Sequence, residues 1–350
     1  MRTFFSVSVA AAAAAMTLAA CSGAGQQAAL PQNALGAMPT APSVPTLNDR
    51  PPIQAAYKGL AALYVYDLAT NKVDVLKNKT YREIGTIPES SSFAPTLAGS
   101  FIDKRGNYYL ADATEVLEYA PRSQAPLYTY TVPSGDTING LSVDAHGDVF
   151  VTTDNSTTST SSVIQYFQRS NTPVYSCAMP GGASDSYSGV TIDSNNDVFV
   201  EYIEYSGSSW TSTIWEYAGG LDSQGSPGGC TASEILSPVS GYGHSLVLDN
   251  SGNLVAPLAE GLGSGGGVIA VISPSGSSYS ISREITADLS SPLAVSLTKS
   301  NKYLFATNYN ASSTDLIVFD YATGAVVKIL GTGNGLNEPL LVSDGPDSVY

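Results

Sequence analysis

One pattern of apolar and polar positions recurs along most of the chain. In "LSVDAHGDVFV" (141–151) apolar and polar residues alternate up to Asp144, a polar turn follows, and apolar positions resume at Val149. Similar copies, each with an Asp before the turn, stand at 100–111, 190–200 and 246–256. Alternation with a period of two is typical of β-strands that bury one face. The pattern therefore predicts pairs of short strands joined by a tight turn.

Each pair of strands belongs to a longer repeating unit. A polar loop of variable length follows the pair, then an alternating strand such as "VLEYA" (116–120), then a turn and one more strand. Equivalent positions fall at 103, 144, 193, 249, 298 and 344, which are 41 to 56 residues apart. Four short strands in a unit of this length are typical of a β-propeller blade.

The two ends of the repeat region supply one further blade. The segment 340–350 reads as the first half of a unit, and 64–77 reads as a second half because it aligns with 317–330. Five complete blades and these halves predict an all-β, six-bladed β-propeller over 58–350, whose last blade is composite. Pairing strands from both termini removes the exposed edges of an open array. We expect Tyr66 and Val342 to lie in the same sheet.

Two kinds of blade resemble known repeats. "VDAHGDVFV" (143–151) is similar to an NHL repeat, and "YLFATNYNASSTDLIVFDYATGAVVKIL" (303–330) resembles a YVTN-type propeller repeat. Both resemblances imply propeller blades and nothing finer about activity.

The N-terminal segment predicts that the propeller is exported and attached to a membrane. "MRTFFSVSVAAAAAAMTLAAC" has one basic residue and an Ala-rich apolar run that is short for a membrane span, so residues 1–20 are predicted to be a signal peptide. Its end, "LAAC", resembles a bacterial lipobox, which implies that Cys21 is acylated. Residues 21–57 are rich in Ala, Pro and Gln and are predicted to be a flexible tether. We therefore expect attachment to the bacterial cell envelope, at the outer membrane if the host has one.

Composition and charge narrow the partners. Of the 350 residues only 13% are charged, while Gly (33) and Tyr (21) are plentiful, which suits strands and turns. Acidic residues outnumber basic ones 30 to 15, a net charge of −15. This balance argues against electrostatic binding of nucleic acid or of an anionic membrane surface, because both need a positive patch. We expect a monomer.

The repeated Asp has a structural explanation. A short carboxylate before a turn accepts hydrogen bonds from backbone N–H groups, and a neighbouring glycine permits positive φ. Calcium is the alternative, but stretches such as "DAHGD" lack the alternating carboxylates and terminal Glu of a calcium loop. We predict turn chemistry at Asp103, Asp144, Asp193 and Asp249, and no resident cofactor or metal.

Candidate binding residues lie in the variable loops, which a propeller places on one face. Loops on a rigid scaffold are the usual carriers of function. The segment 201–213 is the richest in aromatic and acidic residues; these form a surface for a peptide or sugar, or else the loop folds them inward. The candidate residues are Asp112, Glu115, Asp154, Glu201, Tyr202, Glu204, Tyr205, Trp210, His244, Asn308 and Tyr309.

Little in the sequence indicates catalysis. The chain has two histidines and no nucleophile-elbow, zinc-protease or phosphate-loop motif. His244 is predicted near the central channel, where a structural role is favoured over that of a base or ligand. Six-bladed lactonases resemble the predicted fold, and they would imply metal ligands in the channel. However, "ESSSF" (89–93) and "SDG" (343–345) match their ligand positions poorly.

Cys177 and Cys230 remain after lipidation. Cys177 is predicted at the end of one outer strand and Cys230 just before the next, so parallel strands would place them at opposite faces. This interpretation favours two free thiols over a disulfide. Together, the observations favour a non-enzymatic, lipid-anchored propeller that binds a protein, peptide or glycan; the alternative is a metal-dependent, lactonase-like hydrolase.

Overall fold

A computed structural model describes most of the predicted propeller. The described residues are 62–77, 79–88, 99–121, 123–178, 186–206, 209–221, 230–260, 266–310 and 313–344. The predicted signal peptide, Cys21, the tether, the "ESSSF" segment and residues 345–350 lie outside them. No helix among the described residues is long and apolar enough to cross a membrane.

The described residues form 24 strands and one short 3-10 helix, Thr332–Asn334. In chain order the strands are β1 (Ala62–Asp67), β2 (Lys72–Lys77), β3 (Glu83–Pro88), β4 (Ser100–Ile102), β5 (Tyr108–Ala111), β6 (Glu115–Tyr119), β7 (Pro126–Thr131), β8 (Asp136–Val143), β9 (Val149–Asn155), β10 (Thr160–Tyr166), β11 (Pro173–Ala178), β12 (Ser186–Ile192), β13 (Val198–Ser206), β14 (Ser209–Tyr217), β15 (Ser233–Ser240), β16 (Val247–Leu248), β17 (Leu254–Leu258), β18 (Val268–Ser275), β19 (Ser278–Ile285), β20 (Ser291–Leu297), β21 (Tyr303–Asn310), β22 (Ser313–Asp320), β23 (Val326–Leu330) and β24 (Pro339–Asp344).

These strands make six antiparallel sheets of four strands, which are the blades of a six-bladed β-propeller. We number the blades 1 (β4–β7), 2 (β8–β11), 3 (β12–β15), 4 (β16–β19) and 5 (β20–β23); the composite blade contains β24 and β1–β3. Each innermost strand contacts the innermost strands of the two neighbouring blades, so the ring is closed. The predicted fold class and blade number are confirmed.

The composite blade divides between the termini differently from our prediction. Its strand order is β24-β1-β2-β3, so the C-terminal part supplies one strand and the N-terminal part supplies three. Tyr66 pairs with Leu341 and Val65 with Val342, which confirms that both termini share a sheet. The prediction of two strands from each end was wrong. Residues 62–67 form the second strand, between β24 and β2. Their run of apolar residues fits strand two as well as strand three, so the sequence pattern alone assigned them to the wrong strand.

A buried aspartate fastens the two termini together. Asp67 at the end of β1 accepts hydrogen bonds from the backbone N–H of Thr70 in its own turn and of Asn337, which precedes β24. The backbone N–H of Leu68 donates to the Glu338 carbonyl at 2.9 Å. Asp67 is fully buried, so both amides gain a charged acceptor away from solvent.

In blades 1–4 the repeated aspartate stabilises the turn between the first and second strands by accepting hydrogen bonds from its backbone. In each, one Oδ1 accepts two backbone N–H groups, two and four residues later, at 2.7 to 2.9 Å. The residue before the last of these amides has a positive φ, and it is Gly147 in blade 2 and Asn196 in blade 3. Blade 5 uses the hydroxyl of Thr298, which accepts from the N–H of Lys302 and Tyr303. The interpretation as turn chemistry is confirmed.

The core lies between blades rather than in one central mass. Tyr109, Val116 and Tyr130 of blade 1, for example, pack against Val149 and Tyr166 of blade 2. Inner strands such as β1, β5 and β17 are buried at every position, because both of their faces pack against neighbouring blades. The outer strands β19 and β23 alternate between exposed positions and partly or fully buried ones, as a period of two predicts.

A disulfide joins blades 2 and 3, which corrects the prediction of free thiols. Cys177 and Cys230 are bonded, with their Cα atoms 5.6 Å apart. Cys230 does precede the outer strand β15, by three residues, as predicted. The error lay in assigning it to the opposite face from Cys177: Cys230 packs with Ala232 into the wedge between the blades, where Cys177 is buried beside Val190.

Candidate functional site

The two faces of the ring carry different connections. We call the top face the one with the loops between strands two and three and the loops between blades; the bottom face carries the turns between strands one and two and between strands three and four. The candidate binding loops lie on the top face, as predicted from their positions in the repeat. The hairpin of β13 and β14 in blade 3 has the longest of the described strands, nine residues each.

An aromatic stack connects this hairpin with the channel. Tyr205 and Trp210 pair across the hairpin with ring centroids 4.7 Å apart, and Trp210 lies 4.9 Å from Tyr242 of the next loop. Tyr242 meets His244 edge to face at 5.7 Å. Tyr205 is 51% exposed whereas Tyr242 is buried. The aromatic stack (Tyr205, Trp210, Tyr242, His244) therefore runs from an exposed ring to a ring in the interior.

The backbone around Tyr242 holds the stack in place. Tyr242 forms an isolated bridge with Ala259 of blade 4, with N–H···O bonds of 3.0 and 2.7 Å in both directions. Ile203, Tyr242 and Ala259 share a small buried cluster onto which Trp210 packs. Gly243 must lack a side chain, since a Cβ there would lie 2.2 Å from the Pro257 carbonyl oxygen. The hairpin of blade 3 is thus stacked on blade 4.

A buried carboxylate lies beside the base of the stack. Glu201 is fully buried, and its Oε1 lies 2.8 Å from the hydroxyl of Ser212, which is also 2.9 Å from the Gly241 carbonyl. Burial raises the pKa of Glu201 to about 7, although Ser212 and the backbone N–H groups of Gly243 and Gly189 act in the opposite direction. Its Oε2 has no hydrogen-bond partner among the described residues. Glu201 therefore changes charge near neutral pH.

His244 lines the central channel. Its backbone N–H donates to the Leu293 carbonyl of blade 5 at 2.9 Å, and burial lowers the pKa of its ring to about 4. The ring borders an axial cavity of about 30 Å³ that all six innermost strands enclose. Its described walls are mainly apolar: Leu141, Leu246, Val247, Val295, Leu341 and Val342. His244 is consequently neutral at neutral pH.

The axial cavity does not have the ligands of a lactonase-like metal site. No carboxylate or amide side chain borders it, and no three His, Cys, Asp or Glu residues in the described ranges are grouped to hold a metal ion. Hard cations such as Ca²⁺ need several oxygen ligands. The donor set near the axis thus gives no support to the hydrolase alternative.

Several other candidate residues have local structural partners. Asp112 accepts from the N–H of Thr114 and Glu115, both at 2.8 Å. Asp154 accepts from Asn139 and Ser161, and Asn308 accepts from the N–H of Ser290 and Ser291. Glu115 is half-buried, and burial together with the charge of Asp112 raises its pKa. These side chains shape the loops that carry them.

The remaining candidate residues lie on strands, and the face of the strand decides whether each side chain packs into a wedge between blades. Tyr202 packs into the wedge towards blade 2, on the opposite side of β13 from Tyr205, and Glu204 alternates with Tyr205 in the same way. Tyr309 packs against the cluster that contains Tyr64 and Leu293. The structure therefore brings together Glu201, Tyr205, Trp210 and His244. Sequence reasoning missed Tyr242, although its place between Gly241 and Gly243 was a signal of close packing.

Charge is distributed unevenly over the two faces. Among the described residues, the top face carries several carboxylates that are at least partly accessible, including Glu115, Asp136, Asp154, Glu204, Glu260, Asp288, Asp315 and Glu338. Lys72, whose Nζ is 2.6 Å from Asp74, is the one described cationic side chain at that face. The aromatic stack thus opens on an acidic surface, which attracts cations and repels anions.

Comparisons with known proteins support the fold alone. No protein family matches the chain, and no curated protein matches it. A protein of unknown function from Bacteroides caccae superposes with a TM-score of 0.59 at 13% identity, over 82% of this chain and 99% of that one. A chain of the nidogen/laminin complex superposes with a TM-score of 0.57 at 13% identity, over 81% of this chain and 98% of that one. A protein from Lactobacillus plantarum superposes with a TM-score of 0.50 at 12% identity, over 81% of this chain and 98% of that one.

Proposed function

We propose that this β-propeller is a lipid-anchored binding module of the bacterial cell envelope, and that its top face binds a cationic segment of a protein or peptide at the aromatic stack. The observation that carries the proposal is the position of the exposed Tyr205 ring, stacked on the half-buried Trp210, within an acidic face. Aromatic faces attract Lys and Arg side chains, by roughly 0.5–2 kcal/mol for each contact. The lipobox resemblance at Cys21 supports the anchoring.

A neutral glycan is the competing ligand, since sugars also stack on aromatic rings. Two features favour the cationic peptide. The rings of the stack are tilted by 46° and 42° to each other, so they do not form one flat platform for a sugar chain. The surrounding carboxylates would in addition steer a cation to the stack, and they give a neutral sugar no such attraction.

The binding proposal can be tested with one tryptophan as reporter. The chain has two tryptophans, so the Trp215→Phe variant leaves Trp210 in the stack as the single emitter. Hexalysine should change its fluorescence in a saturable, salt-sensitive manner, and Tyr205→Ala should weaken binding by about tenfold, the size of one cation–π contact. Val327→Ala is the control, because Val327 is also 51% exposed but lies on an outer strand. Saturation by maltohexaose instead of hexalysine would contradict the proposal.

Anchoring needs a separate test. The wild-type chain should incorporate labelled fatty acid and sediment with membranes, whereas Cys21→Ser should remove both the label and the tight association. A wild-type chain without the label would refute the anchor and leave the binding result untouched.

A further inference from the structure

The bottom face is basic in one half, in contrast to the acidic top face. Its cations cluster in the turns, and on strand residues beside them, of three consecutive blades: Lys299, Lys302 and the β23 residue Lys328 in blade 5; Lys77 at the end of β2 with Lys79 and Arg82 in the composite blade; and Lys104 and Arg105 in blade 1. We call this set the basic half-face. The accessible acids near it are Glu83, Asp320 and the partly buried Asp344, while Asp103 and Glu118 are buried beneath it.

The other half of the bottom face has the opposite charge. Blades 2, 3 and 4 present acids in the same turns, namely Asp144, Asp193, Asp197, Glu216 and Asp249. Their two arginines are already engaged: Arg169 pairs with Glu118 at 2.9 Å, and Arg283 donates to the backbone carbonyls of Tyr321 and Ala322. The basic half-face is therefore a local feature of a chain whose net charge is −15.

The chain enters the described fold at the centre of the basic half-face. Ala62 begins β1 and is the register partner of Lys77, where β2 ends and the turn to β3 begins. Lys77, Lys79 and Arg82 are exposed in this turn, which the N–H of Lys77 closes by donating to the Arg82 carbonyl at 2.9 Å. Whatever precedes Ala62 is thus joined to the ring beside three cations.

Apolar surface adjoins the cations. Ile84 of β3 is 47% exposed and Leu127 of β7 is 46% exposed, on the outer strands of adjacent blades. Between these blades lies a groove of about 710 Å³, whose walls include Tyr64, Val75, Ile84 and Lys77. Exposed apolar side chains beside Lys and Arg are the composition of surfaces that lie in a membrane interface.

We infer that the basic half-face docks on an anionic lipid surface and so orients the ring with its acidic top face away from the membrane. The inference rests on the proposed lipid anchor only for the source of the surface: an acyl chain at Cys21 would keep the ring within a tether's length of a bilayer. The charge and apolar contacts of the basic half-face would then select the face that docks. The chemistry of recognition is anionic headgroups against Lys77, Lys79 and Arg82, with Ile84 and Leu127 as apolar contacts.

The test uses the full chain with Cys21→Ser, so that no acyl chain contributes. This protein should co-sediment with vesicles of phosphatidylcholine mixed with phosphatidylglycerol, should not co-sediment with phosphatidylcholine alone, and should be released by salt. The triple variant Lys77→Gln, Lys79→Gln, Arg82→Gln should partition about tenfold less, because each cation near an anionic surface adds attraction. Ile84→Ser should weaken binding without changing its dependence on salt.

The matched control adds the same change in net charge on the top face. Ser156→Glu, Thr157→Glu and Thr158→Glu lie in an exposed hairpin of blade 2 and should leave partitioning within about twofold of the parent, since screening limits their reach to roughly 10 Å. An equal loss in this control would reduce the effect to net charge and overturn the inference. So would the absence of binding to phosphatidylglycerol vesicles, or unchanged binding by the triple glutamine variant with a normal thermal transition. Failure of the acyl anchor is detected separately, by the fatty-acid label on the wild-type chain.

Discussion

Two buried titratable side chains act on stability in opposite directions: Glu201 beside the base of the aromatic stack, and His244 at its inner end. Burial raises the pKa of Glu201 to about 7, so its neutral form is favoured in the fold, and its contribution is fully present below about 4.5 and is lost as pH rises through 7. Burial lowers the pKa of His244 to about 4, so its contribution is present above about 6.5 and is lost as pH falls to 4. Between 4.5 and 6.5 the two effects offset each other.

We predict that Glu201→Gln stabilises the protein only at higher pH. The gain should be near zero at pH 4 and should reach about 3 kcal/mol above pH 7, from a pKa raised from 4.5 to about 7 at 1.36 kcal/mol per unit. Urea denaturation at a series of pH values measures it. Glu204→Gln, an exposed neighbour on the same strand, is the control and should give a flat difference. A gain for Glu201→Gln that does not vary with pH would contradict the assignment.

At the residue scale, the sequence predicted the turn carboxylates. Each Asp accepts hydrogen bonds from backbone N–H groups only two and four residues later, so the interaction can be recognised from the local sequence. The sequence did not predict Tyr242 in the aromatic stack. That contact joins blade 3 to blade 4 through the bridge to Ala259, and such a pairing depends on how neighbouring sheets meet. Glu201 was found as a candidate, but its full burial follows from the same junction.

At the scale of elements, the sequence predicted the strands. It did not predict how β1 pairs in the composite blade, nor the disulfide between blades 2 and 3. Alternation fixed which segments are strands in blades 1 to 5. In the composite blade, residues 62–67 could be assigned to strand two or three from their alternation, and the pairing with β24 decides for strand two. The disulfide was missed because Cys230 lies in a non-strand segment whose path the alternation does not describe.

The disulfide should contribute substantially to the stability of the junction between blades 2 and 3. It closes a loop of 53 residues, and cross-linking such a loop lowers the entropy of the unfolded chain by an amount worth about 4 kcal/mol. We expect Cys177→Ala with Cys230→Ala to lower the melting temperature, measured by circular dichroism. Dithiothreitol should lower that of the wild type and leave the double variant unchanged. A double variant as stable as the oxidised wild type would show that the link is dispensable.

At the scale of the whole molecule, the sequence predicted a ring of six blades, because the repeat units have similar lengths and the two ends of the repeat region complete one blade. The charge difference between the faces was not predicted. It appears only when the turns are sorted by face, since Lys77 and Asp67 are close in sequence but lie at opposite ends of β1 and β2. Net charge alone, which is −15, conceals the basic half-face.

Ring closure should depend on β24 and not on the residues after it. A chain that stops before Pro339 loses the innermost strand of the composite blade and the partner of β1, so we expect loss of the cooperative thermal transition. A chain that stops after Asp344 keeps every described strand and should melt within a few degrees of the full chain. Equal melting of both truncated chains would contradict the closure.

The one-plus-three composition of the composite blade also sets an order of events during synthesis. Of the described strands, the ribosome makes β1, β2 and β3 first and β24 last, so the inner edge of the first sheet has no partner until the five other blades have been synthesised. Contacts this distant in sequence slow folding, because a long loop must be closed before they form. Ring closure therefore waits for β24, and until β24 emerges the nascent protein exposes a pairing edge that a chaperone or another nascent chain could reach.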